Sequence, residues 1–293
     1  VSKSKIDWTD ETVNFLTGCR GPNGVPCTYC YARKMAKRLG GVKSTVYART
    51  KAFCGDEFSP AFHNDVYERE KERLTTYQHG GRNPGYTVRQ RRVFLSSMGD
   101  VCFEGGATFF SYPNGQQSGA IQTANVQTAT AKWCERVGAA GHTCLILTKR
   151  PDLLDLNVRW PANVHLGVSV TSNVDSVRIA QLLTWREFNT VVGPSVLGGK
   201  RGPSVLWTSV EPLIGDLNPE LLRGIGWVVV GLQSGPGAAL WSSPMKVREQ
   251  CYEIAKWCRE NGIPAFFKES ISKHFGFPNP GLGHVFWPRE YPK

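Results

Sequence analysis

At 293 residues and 41% hydrophobic content, the chain is long and apolar enough to bury a barrel-sized core, which excludes wholesale disorder. No apolar run approaches the roughly 20 residues needed to cross a bilayer, and the run VSKSKIDWTD lacks the apolar centre of a signal peptide, so a cytoplasmic protein without membrane contact is expected. The net charge of +11 directs attention to polyanionic partners, while nine cysteines, odd in number and irregular in spacing, argue against a secreted disulfide framework.

In chain order, a first strand is expected over residues 12–16, leading straight into Cys19. A short basic helix, YARKMAKRLG, follows and is stopped by Gly40-Gly41. Residues 42–91 read as an insertion with a charged helical segment over 59–76. Residues 102–120, rich in Gly, Ser and aromatics, read as a long surface loop. Short continuous apolar runs at 93–97, 143–148, 164–170, 205–210, 227–231 and 264–267 read as strands of a parallel sheet covered on both faces. Helical patterns lie between them at 121–137, 174–183 and 244–260. In the last of these, Ser243 can cap, Pro244 suits the first turn and Gly262 follows the end. The stretch GPSVLGGKRGP at 193–203 fails the phosphate-loop pattern and reads as a flexible basic loop. Strand–helix alternation of this length means a parallel α/β fold.

In such folds chemistry gathers at the C-terminal strand ends. The first strand delivers the cysteine loop and the second Ser96-Ser97-Met98-Gly99-Asp100. Later strands end in Lys149-Arg150, Ser169, Glu211-Pro212, Gln233-Ser234-Gly235 and Lys268-Glu269. Basic residues gather at Arg33, Lys34, Lys37 and Arg38, at Arg82, Arg89, Arg91 and Arg92, and at Lys149, Arg150, Lys200 and Arg201.

The most informative motif is Cys19-x7-Cys27-x2-Cys30. Three thiolates on one loop make a metal or cluster socket with one position left open. A zinc knuckle completed by Cys54 or His63 remains an alternative. Cys134, Cys144, Cys251 and Cys258 read as packed core thiols.

The close pair reads Cys-x-aromatic-Cys, with Tyr29 before Cys30. With Lys5-Ile6-Asp7-Trp8-Thr9-Asp10, CTYCYA, VFLSSMGD, LTKRP, LGVSV, SVEPL and AFFKES, the chain resembles a phage-associated, radical-SAM-like family of mostly uncharacterised proteins. In its cluster loop that family resembles radical S-adenosylmethionine (SAM) enzymes such as spore photoproduct lyase. The seven-residue spacing departs from the usual three.

The resemblance implies a partial (β/α)6-type TIM barrel with an extra C-terminal strand, in one domain over residues 1–293. It implies a [4Fe–4S] cluster on Cys19, Cys27 and Cys30 that cleaves SAM to a 5′-deoxyadenosyl radical, with an external electron donor. The expected substrate class is nucleic acid or a nucleotide-like molecule. The different-class alternative is a zinc-containing nucleic-acid-binding protein without catalysis, with Cys19, Cys27, Cys30 and Cys54 as ligands.

Ser97, Met98, Gly99 and Asp100 are placed at the SAM amino group, with a plain turn as the competing reading. Lys149 or Arg150 is placed at the SAM carboxylate, against a solvated charged turn. Ser169 is placed at the ribose, against a buried strand serine. Glu211 is expected to act on a ligand or substrate hydroxyl, against a structural ion pair. Cys102 is the candidate hydrogen donor, against an ordinary loop cysteine. Gln233 stands where relatives carry an acid, and Lys268-Glu269-Ser270 where they read Lys-Gln-Trp-Gly.

Overall fold

In the computed structural model, residues 6–43, 45–76, 90–111, 116–192, 202–233, 238–275 and 287–292 are described. Contacts divide the chain into two units, one of Val1–His165 with Phe188–Ser204, the other of Leu166–Glu187 with Val205–Lys293. Both are mixed α/β.

In the first unit, β1 (Glu11–Val13), β4 (Arg92–Leu95) and β7 (Thr143–Thr148) pair in parallel in the order β1-β4-β7. The near-continuous burial of β4 and β7 is what strands covered on both faces require. α4 (Thr123–Gly138) supplies cover through Val126, Ala131, Trp133, Cys134 and Val137. A second sheet runs β2 (Leu16–Thr17), β3 (Ala61–His63), β5 (Gly106–Phe110), β6 (Gln117–Gln122). α1 (Tyr31–Leu39), α2 (Val46–Cys54) and α3 (Asn64–Thr76) complete the unit. In the second unit the order is β8 (Val164–Val170), β9 (Val205–Val210), β10 (Trp227–Val230), β11 (Ala265–Phe267), with β9, β10 and β11 parallel. α5 (Val177–Val192), α6 (Pro244–Glu260) and α7 (Glu269–Phe275) alternate with these strands. α6 is capped as its sequence prescribes: Ser243 Oγ accepts from the Lys246 N–H at 3.3 Å, with Pro244 in the first turn.

Four expectations change, the first being that the helix expected over 174–183 runs instead over Val177–Val192. Residues 102–120 do not form a surface loop: β5 and β6 make an antiparallel hairpin inside this range. Phe109 stacks on Phe62 at 5.8 Å and Phe110 on His63 at 5.2 Å, so alternating aromatic burial wins over a loop-like composition. The helix expected from residue 59 begins at Asn64, because Ala61–His63 are taken by β2 and β5. The first strand breaks in two: β1 joins the parallel sheet and β2 the second sheet. The basic stretch at 193–201 lies outside the described residues, as do Arg82, Arg89, Lys200 and Arg201. Among the described residues no helix is long and apolar enough to cross a membrane.

Two polar networks fix the first unit. The buried Glu11 carboxylate accepts from Arg73 at 2.6 Å and also from Arg91, and Arg92 pairs with Asp10 at 3.3 Å. Two members of the second basic cluster are thereby spent on structure. At the other end, His63, wholly buried, lies between Thr17 and Arg49. Its Nδ1 accepts from Arg49 Nη2 at 2.8 Å. A guanidinium cannot accept, so Nε2 carries the proton and donates to Thr17 Oγ1 at 2.9 Å. Arg49 also holds both oxygens of Asp65, at 2.6 and 3.0 Å.

Burial, with the Arg49 charge second, lowers the His63 pKa to about 3. Burial also lowers His165 to about 4 and lowers His142. A histidine that is neutral when folded takes its proton only on unfolding. Its stabilisation is therefore complete above the unfolded value near 6.5 and is lost as pH falls below it. Urea melts at pH 7, 6 and 5 are expected to show stability falling with acid, each such histidine adding up to about 1.4 kcal/mol per pH unit. His63→Gln is expected to flatten that slope by one histidine's share.

Candidate active site

The cysteine loop starts where the two sheets of the first unit touch. Gly18 bridges Gly99 in parallel, and its N–H donates to the Met98 carbonyl at 2.9 Å. Gly18 has φ +81°, and a Cβ there would lie 2.2 Å from the Ser59 carbonyl oxygen. Only glycine permits this approach of the loop to residue 59. The Cys19 N–H donates to the Phe58 carbonyl at 3.3 Å. A turn closes the far end of the loop, with the Cys30 N–H donating to the Cys27 carbonyl at 3.1 Å. Cys30 then caps α1, its Sγ accepting from the Arg33 N–H at 3.4 Å.

All three cysteines are partly exposed as residues. Cys19 Sγ accepts from the Gly21 N–H at 3.1 Å. Burial pushes its pKa up to about 12, with the Asp100 carboxylate next and Cys27 and Cys30 adding smaller repulsions. Cys19 therefore feels the charges of Asp100, Cys27 and Cys30. Among the described residues no three His, Cys, Asp or Glu side chains surround a common metal position. His63 cannot complete a zinc knuckle as it stands, because both its ring nitrogens are bonded. Cys54 Sγ lies 3.2 Å from Thr108 Oγ1.

Asp100 is buried and takes three donors: the Cys102 N–H at 2.9 Å, Thr148 Oγ1–H at 2.6 Å and the Lys149 N–H at 2.9 Å. Burial outweighs these bonds and raises its pKa. It thus ties the segment after β4 to the end of β7, a task the sequence did not announce. Ser97 Oγ and the Met98 N–H both donate to Asn14 Oδ1 at 3.1 Å. The Tyr31 hydroxyl donates to the Ser97 carbonyl at 2.5 Å. Asn14 and Tyr31 were missed as positioning groups. The tyrosine in CTYCYA was the visible signal.

Lys149 Nζ lies 5.9 Å from the centre of the Tyr29 ring, between the two cysteines of the close pair. Arg150 turns elsewhere. It pairs with Asp152 at 2.8 Å and Glu104 at 2.9 Å, and these bonds raise its pKa. Cys102 is buried, 3.6 Å from Gln127 Nε2, and burial raises its pKa well above the ordinary value. Cys134, Cys144, Cys251 and Cys258 are buried core thiols.

The second unit holds the remaining candidates. Ser169 is buried and its carbonyl accepts from Arg178 at 2.9 Å. Glu211 forms an ion pair with Lys268. The pair closes over Gly231, where a Cβ would come within 2.8 Å of Lys268 Cδ. Ser270 Oγ accepts from the Leu232 N–H at 3.1 Å, and Gln233 is half-buried.

The chain belongs to the family described as Protein of unknown function (DUF5131), which matches residues 3–108 and 121–274. No curated protein matches it. A solved spore photoproduct lyase mutant with dinucleoside spore photoproduct is similar at 12% identity and a TM-score of 0.49, over 91% of this chain and 78% of that one.

Asp100→Ala is expected to destabilise the cofactor-free protein by about 3 kcal/mol or more, since it strands three buried donors. Asp100→Asn keeps an acceptor and is expected to lose less. Denaturant melts of both variants check this.

Proposed function

We propose that the chain is a radical SAM enzyme, with a [4Fe–4S] cluster held by Cys19, Cys27 and Cys30 on a partial (β/α)6 barrel. One observation carries the reading. Cys19, Cys27 and Cys30 are partly exposed on one loop, and the sulfurs of Cys19 and Cys30 accept backbone N–H bonds. The donor set fits. Such bonds stabilise thiolate ligands and tune a cluster. When bound, the cluster supplies the electron that cleaves SAM to methionine and a 5′-deoxyadenosyl radical.

The chain's own residues do the rest. Asn14, Tyr31 and the Gly18–Gly99 bridge hold the segment 96–100 against the cysteine loop. Lys149, beside Tyr29, is the cation for the SAM carboxylate, and Arg150 is not, because Asp152 and Glu104 already neutralise it. Asp100 acts on the cofactor through the backbone it positions. A zinc-binding, non-catalytic reading has one observation in its favour: Cys54 lines the same cavity as Cys19.

Anaerobic reconstitution separates the two. Brown protein with iron and sulfide in near-equal amounts, releasing 5′-deoxyadenosine from SAM on reduction, is expected, with Cys27→Ala losing the cluster. Colourless protein that keeps one zinc through reconstitution would establish the alternative.

The substrate is proposed to be nucleic acid or a nucleotide-like molecule. On α1, Lys34, Lys37 and Arg38 are exposed and follow Cys30 directly. Reversing their charges is expected to weaken single-stranded DNA binding and flatten its dependence on salt by about two to three in log–log slope. An unchanged slope removes nucleic acid from the proposal.

A further inference from the structure

Beside Cys19 the first unit holds a cavity of about 540 Å3, walled by the cysteine loop, the connection between α2 and β3, and β5. Its charged groups are unevenly committed. Two carboxylates line it, Asp56 and Glu104. Asp56 accepts from Arg33 Nη1 at 3.4 Å and from the Phe58 N–H at 2.9 Å. Glu104 accepts from Arg150 at 2.9 Å. The two guanidiniums lining it keep spare donors. Arg33 spends its Nη1 on Asp56, and its Nη2 makes no hydrogen bond among the described residues. Arg20 is exposed and has no ion pair among them. The unsatisfied capacity of the cavity is therefore cationic.

We propose that this cavity binds a small molecule of nucleotide size through a phosphate or carboxylate held by Arg20 and Arg33. A guanidinium offers paired N–H donors in the fork that both oxyanions match, and the volume lies within the roughly 300–1,000 Å3 that encloses such ligands. Phe58, with the Arg33 guanidinium 5.3 Å from its ring centre, keeps part of the wall dry, which strengthens a charged contact. Cys19 shares the cavity, so the ligand lies beside the cysteine loop. Its role as substrate rests on the radical SAM reading, whereas its binding does not.

Titration calorimetry on the cluster-free full chain tests this with uridine 5′-monophosphate, citrate and uridine. Uridine 5′-monophosphate, citrate or both are expected to bind, with uridine at least tenfold weaker. Binding of the nucleotide alone identifies phosphate, and of citrate alone carboxylate. Arg20→Ala is expected to weaken binding at least tenfold with an unchanged melting temperature, since Arg20 is exposed. Arg33→Lys, which keeps the charge but loses the fork, is expected to give a smaller loss. Equal binding of uridine and its monophosphate, no binding of either anion, or unchanged affinity in Arg20→Ala would overturn the proposal. Failure to load iron would sink the radical SAM reading and leave these affinities as they are.

Discussion

The Asp100 carboxylate is the constraint on which the rest of the site depends. A buried carboxylate must be satisfied in full, and this one is satisfied by a hydroxyl and two backbone N–H groups from the ends of two neighbouring strands. Once those bonds are made, the segment 96–100 cannot drift from the end of β7. Gly18 can then bridge Gly99, and the Cys19 thiol is held within reach of a negative charge. The same carboxylate that orders the loop thus also disfavours a bare Cys19 thiolate. Structure and chemistry are coupled through one side chain.

The second sheet plays the corresponding part on the other side of Cys19. β2 is only two residues long, and its pairing with β3 would be a weak anchor by itself. The bond from His63 to Thr17, backed by Arg49 and Asp65, stiffens it two residues before Cys19. Because an arginine can only donate, the tautomer of His63 is fixed and the chain of bonds has a single direction. Phe110 stacks on His63 while the Arg49 guanidinium lies 4.9 Å from its ring centre, and this excludes the water that would compete for those bonds.

What the sequence made legible follows from the range of the forces involved. The strands at Thr143–Thr148, Val164–Val170 and Val205–Val210 and the helix at Pro244–Glu260 coincide with their predicted bounds, because continuous apolar runs and capping residues are local signals. The second sheet was illegible, since β2 and β3 gain their identity from partners some 45 residues apart, as in Leu16 against Phe62 and Phe62 against Phe109, and its one local hairpin lay in a run of loop-like composition. Among site residues, the cysteine spacing pointed to one socket, whereas no three metal-ligating side chains surround a common position among the described residues. The sequence could not distinguish Lys149 from Arg150, adjacent and alike in charge. Only the positions of Asp152 and Glu104 show which of the two is neutralised.

Net charge illustrates the same limit from the other direction. A guanidinium bonded to a carboxylate presents almost no field beyond a Debye length, so an arginine count overstates what a ligand would meet. Arg49, Arg73, Arg91, Arg92, Arg150 and Arg178 all make ion pairs, and most of these are partly buried. Subtracting them leaves exposed cations spread over the first unit, among them Lys43, Lys132, Arg136 and Arg159, together with Arg20 and with Lys34, Lys37 and Arg38 of α1. Arg20 lies within the cysteine loop, Arg33, Lys34, Lys37 and Arg38 follow it, and Arg20 and Arg33 share a cavity with Cys19. Of these cations, Arg20 and Arg33 are the ones placed to meet an anionic ligand beside Cys19, because only they line its cavity.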